Sequence, residues 1–293
     1  MLSMRGGPGL GRGAAVLSVA LLGLGPSIVK LVDMAEMAFV FWRLIAAAVI
    51  YALVLLAVGS RVTWEDLRRS ALGGVVFGVN LIFFIFAMRR TSAVNAVIIA
   101  ALQPAVLLVA GSRLFGERPH RSVYGWSILA FAGVVLAMVS ADASGAATRW
   151  GDFLALITML LFSAYYVISK RARAEMDSST YQLALTLVST ATVVPFVLVF
   201  EGSVAVPGGD DWWLVMAMAA VPGTGHLLTN FAHGHASLSM VSLINLGYPA
   251  IAPLYAWWLV GEKIGGMQAV GMGLVMVALS FVVTRPVEVI AHP

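Results

Sequence analysis

Apolar residues run in long blocks along this chain, separated by charged or Gly/Pro-rich breaks. The blocks lie near 12–32, 38–58, 70–88, 92–112, 121–140, 152–170, 181–200, 212–231, 238–259 and 267–284, ten in all. Each is close to the ~20 residues that an α-helix needs to cross a bilayer core. None has the short length and strict alternation of a barrel strand. The pattern predicts an all-α integral membrane protein of ten transmembrane helices, with short connections that make neighbours antiparallel.

Composition points to the same solvent. The 293 residues are 60% hydrophobic and 11% charged, with a mean hydropathy of +0.94. Soluble domains carry about 25% charged residues, so these charges are too few to cover a soluble surface. Ten spans leave no room for a sizeable soluble domain. The absence of cysteine excludes disulfides and thiolate metal sites. The opening MLSMRGGPGLGRG and the apolar run after it resemble a signal peptide, but the run continues to Val29 without a small-residue cleavage site.

The net charge of +4 calls for no nucleic acid, because cytoplasmic loops of membrane proteins are rich in Lys and Arg. With the N-terminus inside, the inner segments hold Arg5, Arg12, Arg61, Arg68, Arg69, Arg113, Arg118, Arg121, Lys170, Arg171, Arg173 and Arg285. The outer segments hold only Lys30, Arg89, Arg90, Arg149 and Lys263. That bias places both termini in the cytoplasm.

One phrase occurs twice. LQPAVLLVAGSRLFGE ends at Glu117, and GYPAIAPLYAWWLVGE ends at Glu262, 145 positions later. Pro104 meets Pro249, Ala105 meets Ala250, Leu114 meets Leu259, and Gly116-Glu117 meets Gly261-Glu262. Apolar bias alone does not readily align Pro, Gly and Glu together. A shift of 140 aligns Gly11 with Gly151, Ile28 with Ile168 and Lys30 with Lys170. The chain therefore divides into halves, 1–145 and 146–293, of five spans each. Five is odd, so the halves enter the membrane from opposite sides, and the substrate site is expected near the midplane between them. The simplest reading of Glu117 and Glu262 is that each ends its helix in water.

Three stretches carry a family resemblance: FWRLIAAAVIY at 41–51, AMRRTSAVNAV…VVLAM at 87–138 and HGHASLSMVSL…LSFVV at 233–283. The chain resembles the EamA-type branch of the drug/metabolite transporter superfamily, and within it the bacterial exporters of aromatic and other neutral amino acids. The resemblance implies a basket in which helices one to four and six to nine surround a cavity, with helices five and ten outside. It implies export of small metabolites by alternating access across a bacterial-type inner membrane. The second half departs from the first in having Leu187-Val188 where the first has Trp42-Arg43.

Polar residues inside the spans are the candidate lining. His226, Thr229, Asn230 and His233 form one stripe on the eighth span. His233, near the span's end, is expected at the interface. Asn80 and Phe83 on the third span, Asn95 and Gln103 on the fourth, Tyr165 and Tyr166 on the sixth, and Asn245 and Tyr248 on the ninth complete the set. A mainly aromatic chamber with a few amides suits a small amphipathic solute. Arg43 is the basic residue inside a span. It is expected to attract a substrate carboxylate, to snorkel outward, or to pair with Glu36. Pro26, Pro104 and Pro249 are candidate hinges, because a proline leaves the carbonyl four residues earlier unpaired; Pro222 does the same to Met218.

No catalytic residue, cofactor or metal is expected. No Gly-x-Ser-Gly nucleophile segment is present, every Asp lies near a span end, and no carboxylate is spaced to help the histidines hold a metal. The expected partners are a small-molecule substrate and the lipid bilayer, with no obligate protein partner. Two alternatives stay open at this point: a proton-coupled multidrug exporter, and an intramembrane acyltransferase built on His226.

Overall fold

A computed structural model describes residues 7–57, 59–91, 99–140, 148–285 and 287–289. Asn95 lies outside the described residues, as does the boundary drawn at residue 145.

The first span is two helices, α1 (Pro8–Leu22) and α2 (Gly25–Leu31). The next two are α3 (Glu36–Ala57) and α4 (Trp64–Arg90). Thr63 and Asp66 close a capping box that starts α4. The fourth block yields α5 (Gln103–Phe115), and the fifth α6 (Arg121–Val139). Then come α7 (Arg149–Ala172), α8 (Ser178–Glu201) and α9 (Asp211–His235). Thr148 and Asp177 cap the first two of these with their side chains. The ninth block is α10 (Leu238–Ile244), a 3₁₀ turn (Asn245–Gly247) and α11 (Tyr248–Val260). The last is α12 (Gly266–Thr284). Among the described residues, eight helical stretches are long and apolar enough to cross a membrane. The chain is a multi-pass helical membrane protein.

The repeated Gly-Glu phrase has a backbone cause. Gly116 and Gly261 both terminate their helices in the left-handed conformation, at φ 63° and 76°. A side chain at that φ is strained, so glycine ends each helix and the glutamate follows at once. The expectation that both glutamates sit in water fails for Glu117, which is 1% exposed. Its neighbours also depart from pure helix: Glu117–Pro119 pairs antiparallel with Val287–Val289.

The three candidate hinge prolines share one placement. Pro26, Pro104 and Pro249 are each the second residue of a helix, following a break in the helical path. There the missing N–H costs no intrahelical bond.

Contacts sort the loops into two groups. In one, Arg12 donates to the Val283 carbonyl, Arg69 pairs with Glu175, and Glu117 binds Leu238 and Ser239. In the other, Lys30 pairs with Glu262, Met37 donates to Glu201, Trp42 to the Ala205 carbonyl, and Thr148 to the Arg90 carbonyl. Between these groups α4 packs along α7 and α8, α9 along α1, α3 along α8, and α6 along α12. Two of these contacts run backbone against backbone. A Cβ on Gly11 would lie 2.8 Å from the His235 Cβ and 3.1 Å from the Ala236 nitrogen, and a Cβ on Gly151 would overlap the Arg90 carbonyl beside Thr91.

Candidate functional site

The interior polar groups meet where α7, α8 and α9 pack. On α9, His226, Asn230 and His233 share a face at i, i+4 and i+7. Asn230 is fully buried and joins three elements. Its Oδ1 accepts the Tyr165 hydroxyl at 3.1 Å, its Nδ2 donates to Gln182 Oε1 at 2.5 Å, and its carbonyl accepts Arg173 Nε at 2.9 Å. Beside it, Asn245 Nδ2 donates to the Tyr166 hydroxyl at 2.6 Å. The 3₁₀ turn begins at Asn245 and brings this amide to α7.

Aromatic rings wall the same region. Phe162 stacks with Tyr165 at 5.6 Å and tilts against Tyr166 at 4.9 Å. Phe77 bridges Tyr165 at 4.9 Å and His226 at 5.0 Å. Against Phe77 lies a narrow cavity of about 20 Å³, lined also by Arg43, Leu44, Ala47 and Tyr51 from α3, Gln182 and Thr186 from α8, and Met218, Ala219, Pro222, Gly223 and His226 from α9. Tyr51 donates to the Gly223 carbonyl at 2.7 Å. His226 Nδ1 is buried without a partner.

The other expected lining residues are placed differently. Asn80 donates to the Thr158 carbonyl at 2.8 Å, so its amide joins α4 to α7. Phe83 packs with Ala87, Leu154, Ala155 and Ile99 in a separate cluster. Gln103 is buried at the start of α5, its Nε2 unpartnered. Tyr248 is half-buried against the main core. His233, expected at the interface, is instead 1% exposed, edge-on to Tyr166 at 4.6 Å. Burial follows from α7, whose Tyr166 packs on the ring and whose Lys170 reaches the His233 carbonyl.

The sequence reading missed the polar stripe of α8. Gln182, Thr186, Ser189 and Thr190 are all buried, at i, i+4, i+7 and i+8. That spacing was a readable signal, because polar groups at membrane depth must face protein or water. Three of the four back-bond to the carbonyl four residues earlier, which also satisfies them locally.

At the end of the bundle that holds both termini, three side chains tie loops together. Glu117 accepts from the Leu238 N–H at 2.6 Å, the Ser239 N–H at 2.8 Å and the Ser239 hydroxyl at 2.6 Å. A carboxylate at a helix N-terminus meets the orphan N–H groups and the positive end of the dipole. Lys170 donates to the carbonyls of His233 and Ala236, at the other side of the same turn. Arg173 lies just past the end of α7, and burial lowers its pKa from the ordinary arginine value. At the opposite end Glu201 caps α3 in the same way, accepting from Met37 and Ala38.

A bundle of membrane-crossing helices with amides, hydroxyls and rings gathered in its interior is the build of a solute transporter. The chain belongs to the EamA-like transporter family, whose profile matches residues 10–139 and 149–284. It is 20% identical to the pseudopaline exporter CntI of Pseudomonas aeruginosa, over 84% of this chain and 85% of that one. It is 25% identical to an uncharacterized transporter of Archaeoglobus fulgidus, over 85% of this chain and 82% of that one. A solved crystal structure superposes with a TM-score of 0.78 at 19% identity, covering 94% of this chain and 96% of the other, and so shares the fold. Family and relatives point to a transporter rather than an enzyme.

Proposed function

We propose that this transporter exports small neutral metabolites, amino acids above all, by alternating access through a central cavity. The observation that carries the reading is the Tyr165–Asn230–Gln182 network with its aromatic walls. It sets neutral polar groups and flat rings deep in the bundle, with Gln182 also lining the cavity beside Phe77, which suits a small amphipathic solute. A carrier must release what it binds, so affinities of about micromolar to millimolar are expected. The exporter name of one relative supports the outward direction.

On this reading the chain crosses a bacterial-type inner membrane ten times, with both termini in the cytoplasm. The two groups of loop contacts support that count, since the chain passes from one group to the other at each block. The halves 1–145 and 146–293 would be inverted repeats, rocking about the breaks at Pro26, Pro104 and Pro249. Family matches in two stretches of similar length support that division. So does the paired packing of α4 on α7 and α9 on α1.

The test is counterflow in proteoliposomes holding the purified full chain. Labelled L-phenylalanine or L-threonine should accumulate transiently when the vesicles are preloaded with the unlabelled compound. Absence of counterflow across a panel of neutral amino acids sinks the substrate reading.

A further inference from the structure

Arg43 stands seven residues inside α3 from Glu36, about 10 Å along the helix. A guanidinium at that depth carries five donors and no acceptor, and needs an anion or a set of acceptors to satisfy it. Among the described residues the ion pairs are Lys30 with Glu262 and Arg69 with Glu65 and Glu175, none of which includes Arg43. It neither snorkels outward nor faces a lone lipid wall, but lines the interior cavity beside Phe77.

The rest of that lining is arranged around it. His226 Nδ1 faces the interior unpartnered. Tyr51, two turns deeper on α3, is held to the Gly223 carbonyl at 2.7 Å. Pro222 lacks the N–H that would close onto the Met218 carbonyl, and Met218 belongs to the same lining. So Arg43 brings a fork of donors to the lining, and Met218 brings a main-chain carbonyl that lacks its usual helical donor. No acidic side chain lines it.

We infer that this cavity, which as it stands has room for about one water, widens to hold the cargo by its carboxylate, at Arg43, and that the transported class is therefore small amphipathic solutes bearing a free carboxylate. The inference rests on the transport reading above and narrows it. A guanidinium takes a carboxylate through two parallel N–H···O bonds, a geometry that a lysine cannot reproduce. The Met218 carbonyl is the acceptor proposed for an ammonium on the same solute. The apolar side chain would lie toward Phe77 and the Tyr165 wall. A cation without a carboxylate would meet Arg43 as a like charge, so lipophilic cationic drugs are excluded from the class.

The deciding experiment is competition in the counterflow assay, with labelled L-phenylalanine as probe. Unlabelled L-phenylalanine should compete at least tenfold better than L-phenylalaninamide, the methyl ester or phenethylamine. Arg43→Gln should lower the flux at least tenfold and abolish the preference for the acid. Arg43→Lys should fall between, keeping the charge and losing the fork. Gly223→Ala places a methyl 2.9 Å from the Tyr51 hydroxyl. It should lower flux by narrowing the cavity while leaving the acid-to-amide ratio unchanged. Equal competition by acid and amide in the unaltered protein overturns the inference and leaves the transport reading standing. Retention of the preference by Arg43→Gln overturns it as well. Absence of flux for every solute removes both readings. The competition panel on the unaltered protein decides the question even where a variant fails to fold.

Discussion

Glu117 and Ser239 are 122 residues apart, and two hydrogen bonds join them: Ser239 N–H and Oγ both donate to Glu117 Oε2, at 2.8 and 2.6 Å. The carboxylate that ends α5 thereby caps the start of α10. With Lys170 holding the carbonyls just before that start, the turn from α9 to α10 is pinned from both sides. On the alternating-access reading, an opening that parts α5 or α7 from this turn would break those bonds.

Replacing Glu117 should therefore loosen that end. Glu117→Ala leaves three buried donors without an acceptor, at a cost of about 1–3 kcal/mol for each group left unsatisfied. A cysteine placed at Ser242, in this cysteine-free chain, should react several-fold faster with a thiol reagent applied from the side proposed to be cytoplasmic. Glu117→Gln should fall between, because a neutral amide accepts more weakly. Unchanged labelling in both variants would mean that the bonds do not hold the closed end.

Topology gives a second check. Ser60→Cys and Gly208→Cys lie at exposed positions in loops assigned to opposite sides of the membrane. In intact cells an impermeant thiol reagent should label the second and spare the first. Labelling of both, or of Ser60→Cys alone, would refute the proposed orientation.

Much of this architecture was legible in the chain: the blocks of apolar residues, the paired Gly-Glu phrase and the stripe on α9. What escaped was every relationship that needs two distant segments. Glu117 looks like a helix-ending carboxylate in water until α10 arrives to supply its donors. Asn80 reads as lining until the Thr158 carbonyl on α7 takes its amide. His233 reads as interfacial because position along a span says nothing about what folds over it. The α8 stripe was the exception, visible by spacing alone.

A third expectation concerns the Asn230 network. Asn230→Ala removes the acceptor of Tyr165 and the donor to Gln182, both buried. The loss should be about 1–3 kcal/mol per unsatisfied partner, seen as a lower melting temperature in detergent, together with reduced flux. Val199→Ala, at a position 77% exposed on α8, should change neither. Equal losses in the two variants would assign the effect to general fragility.

A fourth concerns close packing. Gly151→Ala drives a methyl into the Arg90 backbone, and overpacking of this kind costs about 1–3 kcal/mol. Gly125→Ala meets nothing within 4 Å and should be neutral or stabilising by up to about 1 kcal/mol, since alanine favours a helix. Thermal unfolding of the two variants side by side tests this. A Gly151→Ala protein as stable as the parent would show that the approach can relax.

Gly11 against Ala236 and Gly151 against Thr91 also bear on ancestry. On the two-half reading they are one contact made twice. A two-fold dimer of a single five-helix protein would make that contact from one gene, each subunit offering its glycine to the other. In such a dimer any substitution at the glycine strikes both interfaces at once. Fusion of two gene copies into one chain breaks that bond between the sites, and each becomes free to drift alone. On that reading glycine stands at both seams, whereas Trp42-Arg43 in one half matches Leu187-Val188 in the other. The seam would then be present in duplicate, and the Arg43 face would belong to one half alone.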